Sequence, residues 1–96
     1  MIKYYFLILA FNEEKNLLRT FKKLKTTIKL RKLSNYKIII NNDGSNDRTE
    51  KIAIKIKNKF DNNIEIISYK KNIGVAKSIK KFILIILLAL MMWIKW

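Results

Sequence analysis

The chain has no cysteine, histidine or proline, and only two glycines in 96 residues. Without Cys or His there is no disulfide framework, no zinc site of nitrogen and sulfur ligands, no thiol nucleophile and no imidazole base. Any acid, base or metal ligand must therefore be a carboxylate. Carboxylates are scarce as well: seven Asp and Glu stand against 21 Lys and Arg, for a net charge of +14, and none follows Glu65. Two glycines cannot supply a Walker A or a dinucleotide-binding glycine pattern. The longest apolar run, Phe82 to Trp93, is twelve residues, short of the roughly 18 to 20 that a spanning helix needs. It is long enough to lie in a membrane interface. At the amino end a short apolar run is followed by Asn12, Glu13 and Glu14 instead of a small-residue cleavage site, which reads as a cytoplasmic start.

Half of the residues are hydrophobic, so the chain can build a core, and its length allows one small domain. Ile, Lys and Asn make up 46 of the 96 residues, the usage that A/T-rich coding produces wherever a position is permissive. The lysines are read first as that default polar residue, next as attraction to an anionic membrane surface, and last as nucleic-acid contacts. They are scattered and do not form one stripe.

Strand-like and helix-like periods alternate. Ile2 to Ala10 is a near-continuous apolar run with aromatic and β-branched members, the pattern of a strand covered on both faces. Asn12 is a good helix cap, Glu13 and Glu14 place negative charge on a first turn, and Leu17, Phe21, Leu24 and Ile28 recur at helical spacing. Tyr36 to Ile40 predicts a second strand, ended by the turn-rich run Asn41 to Asp47. Asp47 and Glu50 form a capping pattern for a second helix lined by Ile52, Ala53, Ile56 and Phe60. Asp61-Asn62-Asn63 turns the chain into a third strand, Ile64 to Ser68, and a polar loop from Lys70 to Gly74 leads to a third helix from near Val75. The order β-α-β-α-β-α predicts an α/β fold with a parallel sheet and right-handed crossovers, in which ligands sit beyond the carboxyl ends of the strands.

Two polar clusters fall at that end. Asn12-Glu13-Glu14 follows the first strand and Asn42-Asp43-Gly44-Ser45 the second. Gly44 permits positive φ and close approach of another group, Ser45 offers a hydroxyl, and Asp43 can accept hydrogen bonds from a base or ribose. The tripeptide by itself reads first as a turn leading into a helix cap. Arg48 reads as an exposed helix start, and Asn72 and Gly74 as loop geometry.

Leu9-Ala10-Phe11-Asn12-Glu13-Glu14, then Ile40-Asn41-Asn42-Asp43-Gly44-Ser45-Asn46-Asp47-Arg48-Thr49, then Asn72-Ile73-Gly74-Val75-Ala76 together resemble the opening of a family 2 glycosyltransferase. There the three landmarks read Pro-x-Tyr-Asn-Glu, Val-Asp-Asp-Gly-Ser-x-Asp-x-Thr and Asn-x-Gly. The resemblance covers residues 1–81 and implies a three-layer, Rossmann-like sheet of three or four parallel strands, the nucleotide-sugar-binding half of a GT-A domain. It implies sugar transfer from a nucleotide diphosphate sugar, with a divalent metal, Mg or Mn, in the full-length family. Carried across, Phe11 and Glu13 border the nucleotide, Asp43 hydrogen-bonds the base, and Gly44 and Ser45 shape the turn. Ala10 stands for the family's Pro, Phe11 for its Tyr and Asn42 for the first paired aspartate, which removes one charge beside the nucleotide.

The family's metal-holding Asp-x-Asp and its later acidic base have no counterpart in the residues after Glu65. Met and Trp have single codons, so Met91-Met92-Trp93-Ile94 must begin ATG-ATG-TGG-AT, and reading from the third base gives Asp-Val-Asp. A shifted frame after about Lys77, leaving residues 82–96 as an out-of-frame apolar tail, is thus the expectation, and with it a chain inactive by itself. A different class of reading is a small basic module that binds anionic lipid or nucleic acid through its lysines and anchors by the Phe82 to Trp96 tail.

Overall fold

The computed structural model describes residues 2–60 and 63–95, with side chains as far as Met91. The elements are β1 (Tyr4–Ala10), α1 (Leu17–Leu30), β2 (Tyr36–Asp43), α2 (Thr49–Phe60), β3 (Ile64–Tyr69) and α3 (Val75–Lys95). The three strands form one parallel sheet in the order β1-β2-β3, so the alternation read from the sequence is the fold.

Period-two alternation along the strands sorts the residues into layers. Ile38 and Ile40 of β2 join Ile8 and Ala10 of β1, Ile64 of β3, Leu17, Phe21 and Ile28 of α1, and Ala53 and Ile56 of α2 in one buried cluster. The predicted apolar stripes of both helices therefore face the sheet, and the ring centroids of Phe21 and Phe60 lie 5.7 Å apart where the helices meet. Ile39 and Asn41 point to the opposite face, where the Asn41 amide donates to Ser78 Oγ of α3 at 3.2 Å, both residues being buried. Helices on both faces of the sheet make three layers.

Beside shifts of one or two residues at the ends of β1 and β3, two boundaries differ from the sequence reading. Helix α1 starts at Leu17 with Asn16 at its N-cap, no acidic residue lies in its first turn, and Asn12 has φ 52°. That left-handed conformation, which Asn tolerates, excludes Asn12 from capping and removes Glu13 and Glu14 from the helix. Strand β2 runs three residues further, through Asn41, Asn42 and Asp43, because the amides of both asparagines find partners in Ser78 and Ser68 and can be buried. Helix α3 runs without a break through residues 81 and 82. Asp61 and Asn62 of the expected turn lie outside the described residues, as does part of the Phe82 to Trp96 tail.

Candidate functional site

Three loops meet at the carboxyl end of the sheet. Ala10 pairs with Asn42, so Phe11 leaves β1 level with Asp43, and Asp43 in turn pairs with Tyr69 at the end of β3. The parallel register alone thus places all three polar segments along one edge.

The β1–α1 loop is held by the β2–α2 loop through consecutive backbone donors. Asn12 N–H donates to Ser45 Oγ at 2.9 Å, Glu13 N–H to Thr49 Oγ1 at 2.9 Å, and Glu14 N–H to Asp47 Oδ2 at 3.2 Å. In return Asn12 Oδ1 accepts the Asn46 N–H at 2.8 Å. The Thr49 hydroxyl and N–H both donate to Asp47 Oδ1. Desolvation pushes the Asp47 carboxyl upward, but the bonds from Thr49 and from the Glu14 N–H outweigh it and hold the group below the usual aspartate range.

The β3–α3 loop is held by Asp43. Its Oδ1 accepts the Ile73 N–H at 2.7 Å and its Oδ2 the Gly74 N–H at 3.0 Å, while its carbonyl accepts from the Asn72 side chain at 3.3 Å. Since Ser78 N–H donates to the Gly74 carbonyl, Gly74 opens the bonding of α3, and the Asp43 carboxylate lies at the helix's positive end. Desolvation and the Asp43 charge raise the Tyr69 phenol above its ordinary value.

Gly44, at φ 70°, answers a close approach of backbone: a Cβ there would come within 2.4 Å of Asn72 N and 2.5 Å of the Lys71 carbonyl carbon. Asn42, where the resemblance expected a carboxylate, is buried and satisfied on both sides, its Oδ1 accepting the Ser45 N–H and its amide donating to Ser68 Oγ. Neutral Asn suits that position, because an ionised carboxylate would carry a desolvation cost.

The sequence-derived candidates Phe11, Glu13, Asp43, Gly44 and Ser45 therefore share one edge. They differ in what remains free. Phe11 is 45 % exposed and Glu13 half-buried, whereas Asp43 is 6 % exposed with both oxygens engaged. The sequence reading missed Thr49 and understated Asp47, which it took as a local cap.

The sequence model of the family described as Glycosyl transferase family 2 matches residues 5–86, spanning all three loops. The chain belongs to this family. It is also similar, at 41 % identity over 75 residues, to an uncharacterized protein of Methanocaldococcus jannaschii, covering 78 % of this chain and 30 % of that protein. The chain thus spans about a third of the length of the curated relative it matches. The family is one of glycosyl transferases, a class that transfers sugars.

The described residues do not fit the divalent metal that the resemblance implies. Among the described residues no three acidic side chains converge, and a hard divalent cation needs several oxygen ligands. An open trough runs along α1, lined by Lys15, Leu18, Arg19, Lys22, Lys23, Thr26 and Thr27. It is formed by side chains of α1 and by Lys15, two residues before that helix, and shares only Lys15 with the loop edge.

Proposed function

We propose that the three-loop edge is the nucleoside end of a nucleotide-sugar site, carried by a chain that does not complete sugar transfer by itself. Phe11 offers an exposed aromatic face against which a base can pack, and Glu13 a carboxylate for base or ribose hydroxyls. Asp43 contributes through the lone pairs its backbone partners leave, and Gly44 and Ser45 shape the turn beneath. The observation that carries this reading is the bonding of Asn12 to Ser45 and Asn46, which joins the first two family landmarks. Transfer needs, in addition, carboxylates to hold a metal and to deprotonate the acceptor, and the sequence after Glu65 has none.

Titration of the purified chain with UDP and with GDP, followed by calorimetry, tests the proposal. Saturable binding at millimolar ligand or below is expected, weakened by Phe11→Ala. No heat with either nucleotide at those concentrations would leave the family and fold standing without the site.

A second reading is favoured by the exposure of α3, whose Ile83, Leu84, Leu87, Leu88 and Met91 are each 48 % to 56 % exposed, beside the exposed Lys77, Lys80 and Lys81. No helix among the described residues is long and apolar enough to cross a membrane, so the contact proposed is peripheral, with anionic lipid. Salt-sensitive sedimentation with anionic vesicles, absent with neutral ones, is its expected signature.

A further inference from the structure

Of the residues behind the loop edge, Thr49 is the most enclosed, with 0 % exposure, yet its hydroxyl is committed on both sides. It accepts the Glu13 N–H at 2.9 Å and donates to Asp47 Oδ1 at 2.5 Å. A hydroxyl has one proton. Giving that proton to Asp47 turns a lone pair toward Glu13, so the carboxylate fixes the direction of the acceptor two residues away. The second Asp47 oxygen holds the next N–H, that of Glu14. The peptide units on both sides of the Glu13 Cα are thereby fixed, and with them the direction in which its side chain leaves the loop.

We propose that Thr49 and Asp47 are positioning residues for Glu13. They set its approach to a nucleoside diphosphate without touching the ligand, an inference that rests on the site reading given above. A helix cap needs only the bond from the Thr49 N–H to Asp47. The hydroxyl relay to Glu13, 36 residues earlier in the chain, has no capping use.

The test compares the whole chain with Thr49→Ser, Thr49→Val and Asp47→Asn. It reads UDP and GDP affinity, the thermal midpoint and the amide proton shifts of Glu13 and Glu14. Thr49→Ser keeps the hydroxyl and is expected to keep both affinity and the Glu13 amide shift. Thr49→Val matches the shape without the hydroxyl. It is expected to move the Glu13 amide upfield and weaken binding by about fivefold to tenfold, the scale of one hydrogen bond, at a temperature where it remains folded. Asp47→Asn sets an amide nitrogen or a reoriented hydroxyl against the relay; being only partly buried, it serves if the valine variant does not fold, with the same expected loss. Wild-type affinity in folded Thr49→Val or Asp47→Asn overturns the inference alone. No binding by the wild-type chain overturns the site reading and this inference together.

Discussion

Gly44 and Gly74 both have positive φ, 70° and 88°, but for different reasons. A Cβ on Gly44 would collide with the backbone of Lys71 and Asn72, which no rotamer change relieves, whereas a Cβ on Gly74 meets nothing within 4 Å. Gly74→Ala should therefore lose only the left-handed backbone term, about 1–2 kcal/mol. Gly44→Ala adds overpacking and should lose about 2–4 kcal/mol. Urea melts of the two variants check the order, and equal losses would mean that the two loops part freely. Asp47 gives a pH dependence at the same scale. Its folded carboxyl titrates below its unfolded value of about 3.9. The stabilisation is complete above that pH and is lost as pH falls through the folded value. Below about pH 4 the wild-type midpoint should fall more steeply than that of Asp47→Asn, as thermal melts between pH 2 and 6 would show.

At the scale of elements, periodicity was enough wherever partners are close in sequence. Leu17, Phe21 and Ile28 are buried as their spacing predicts, and the three strands emerge from their apolar runs. It failed where partners are distant. Asn12, Glu13 and Glu14 have the composition of a helix start, but their N–H groups are taken by side chains 33 to 36 residues later, and no local pattern reports that. Asn41 and Asn42 read as turn for the same reason, their burial depending on Ser78 and Ser68. The candidate site was legible as a location, because family landmarks mark it, while the division between exposed and inward-bonded residues was not. The end of α1 carries a further expectation. Leu33 N–H donates to the Ile28 carbonyl and Lys32 to that of Lys29, with Lys32 at φ 54°, a left-handed closure that normally uses glycine. Lys32→Gly should stabilise the chain by about 0.5–1 kcal/mol, less than the full strain because the unfolded glycine is freer. Chemical denaturation measures the gain.

For the molecule as a whole, what stays uncovered matters as much as what is packed. Within the described residues β1 and β3 each pair on one side only, and only the inner stripe of α3 is sheltered. Ser78 is buried, Phe82, Ile85, Ile86 and Ala89 are half-buried, and Ile83, Leu84, Leu87, Leu88 and Met91 face outward. A helix apolar on every side belongs in an interior, and exposed apolar patches of this kind drive association. The charge of +14 acts against it, since like-charged copies repel until salt screens them, over about 10 Å at 0.1 M. The two terms have opposite salt dependence, which gives the prediction its sign. The wild-type sedimentation coefficient should rise with protein concentration, and more steeply at high salt than at low. Leu84→Gln combined with Leu88→Gln should remove most of the rise, because those two residues lie one turn apart on the outer face, and should leave the sheet's inner contacts untouched. Association that instead weakens with salt would place its cause in the lysines and the seven carboxylates, and would make the exposed α3 residues bystanders.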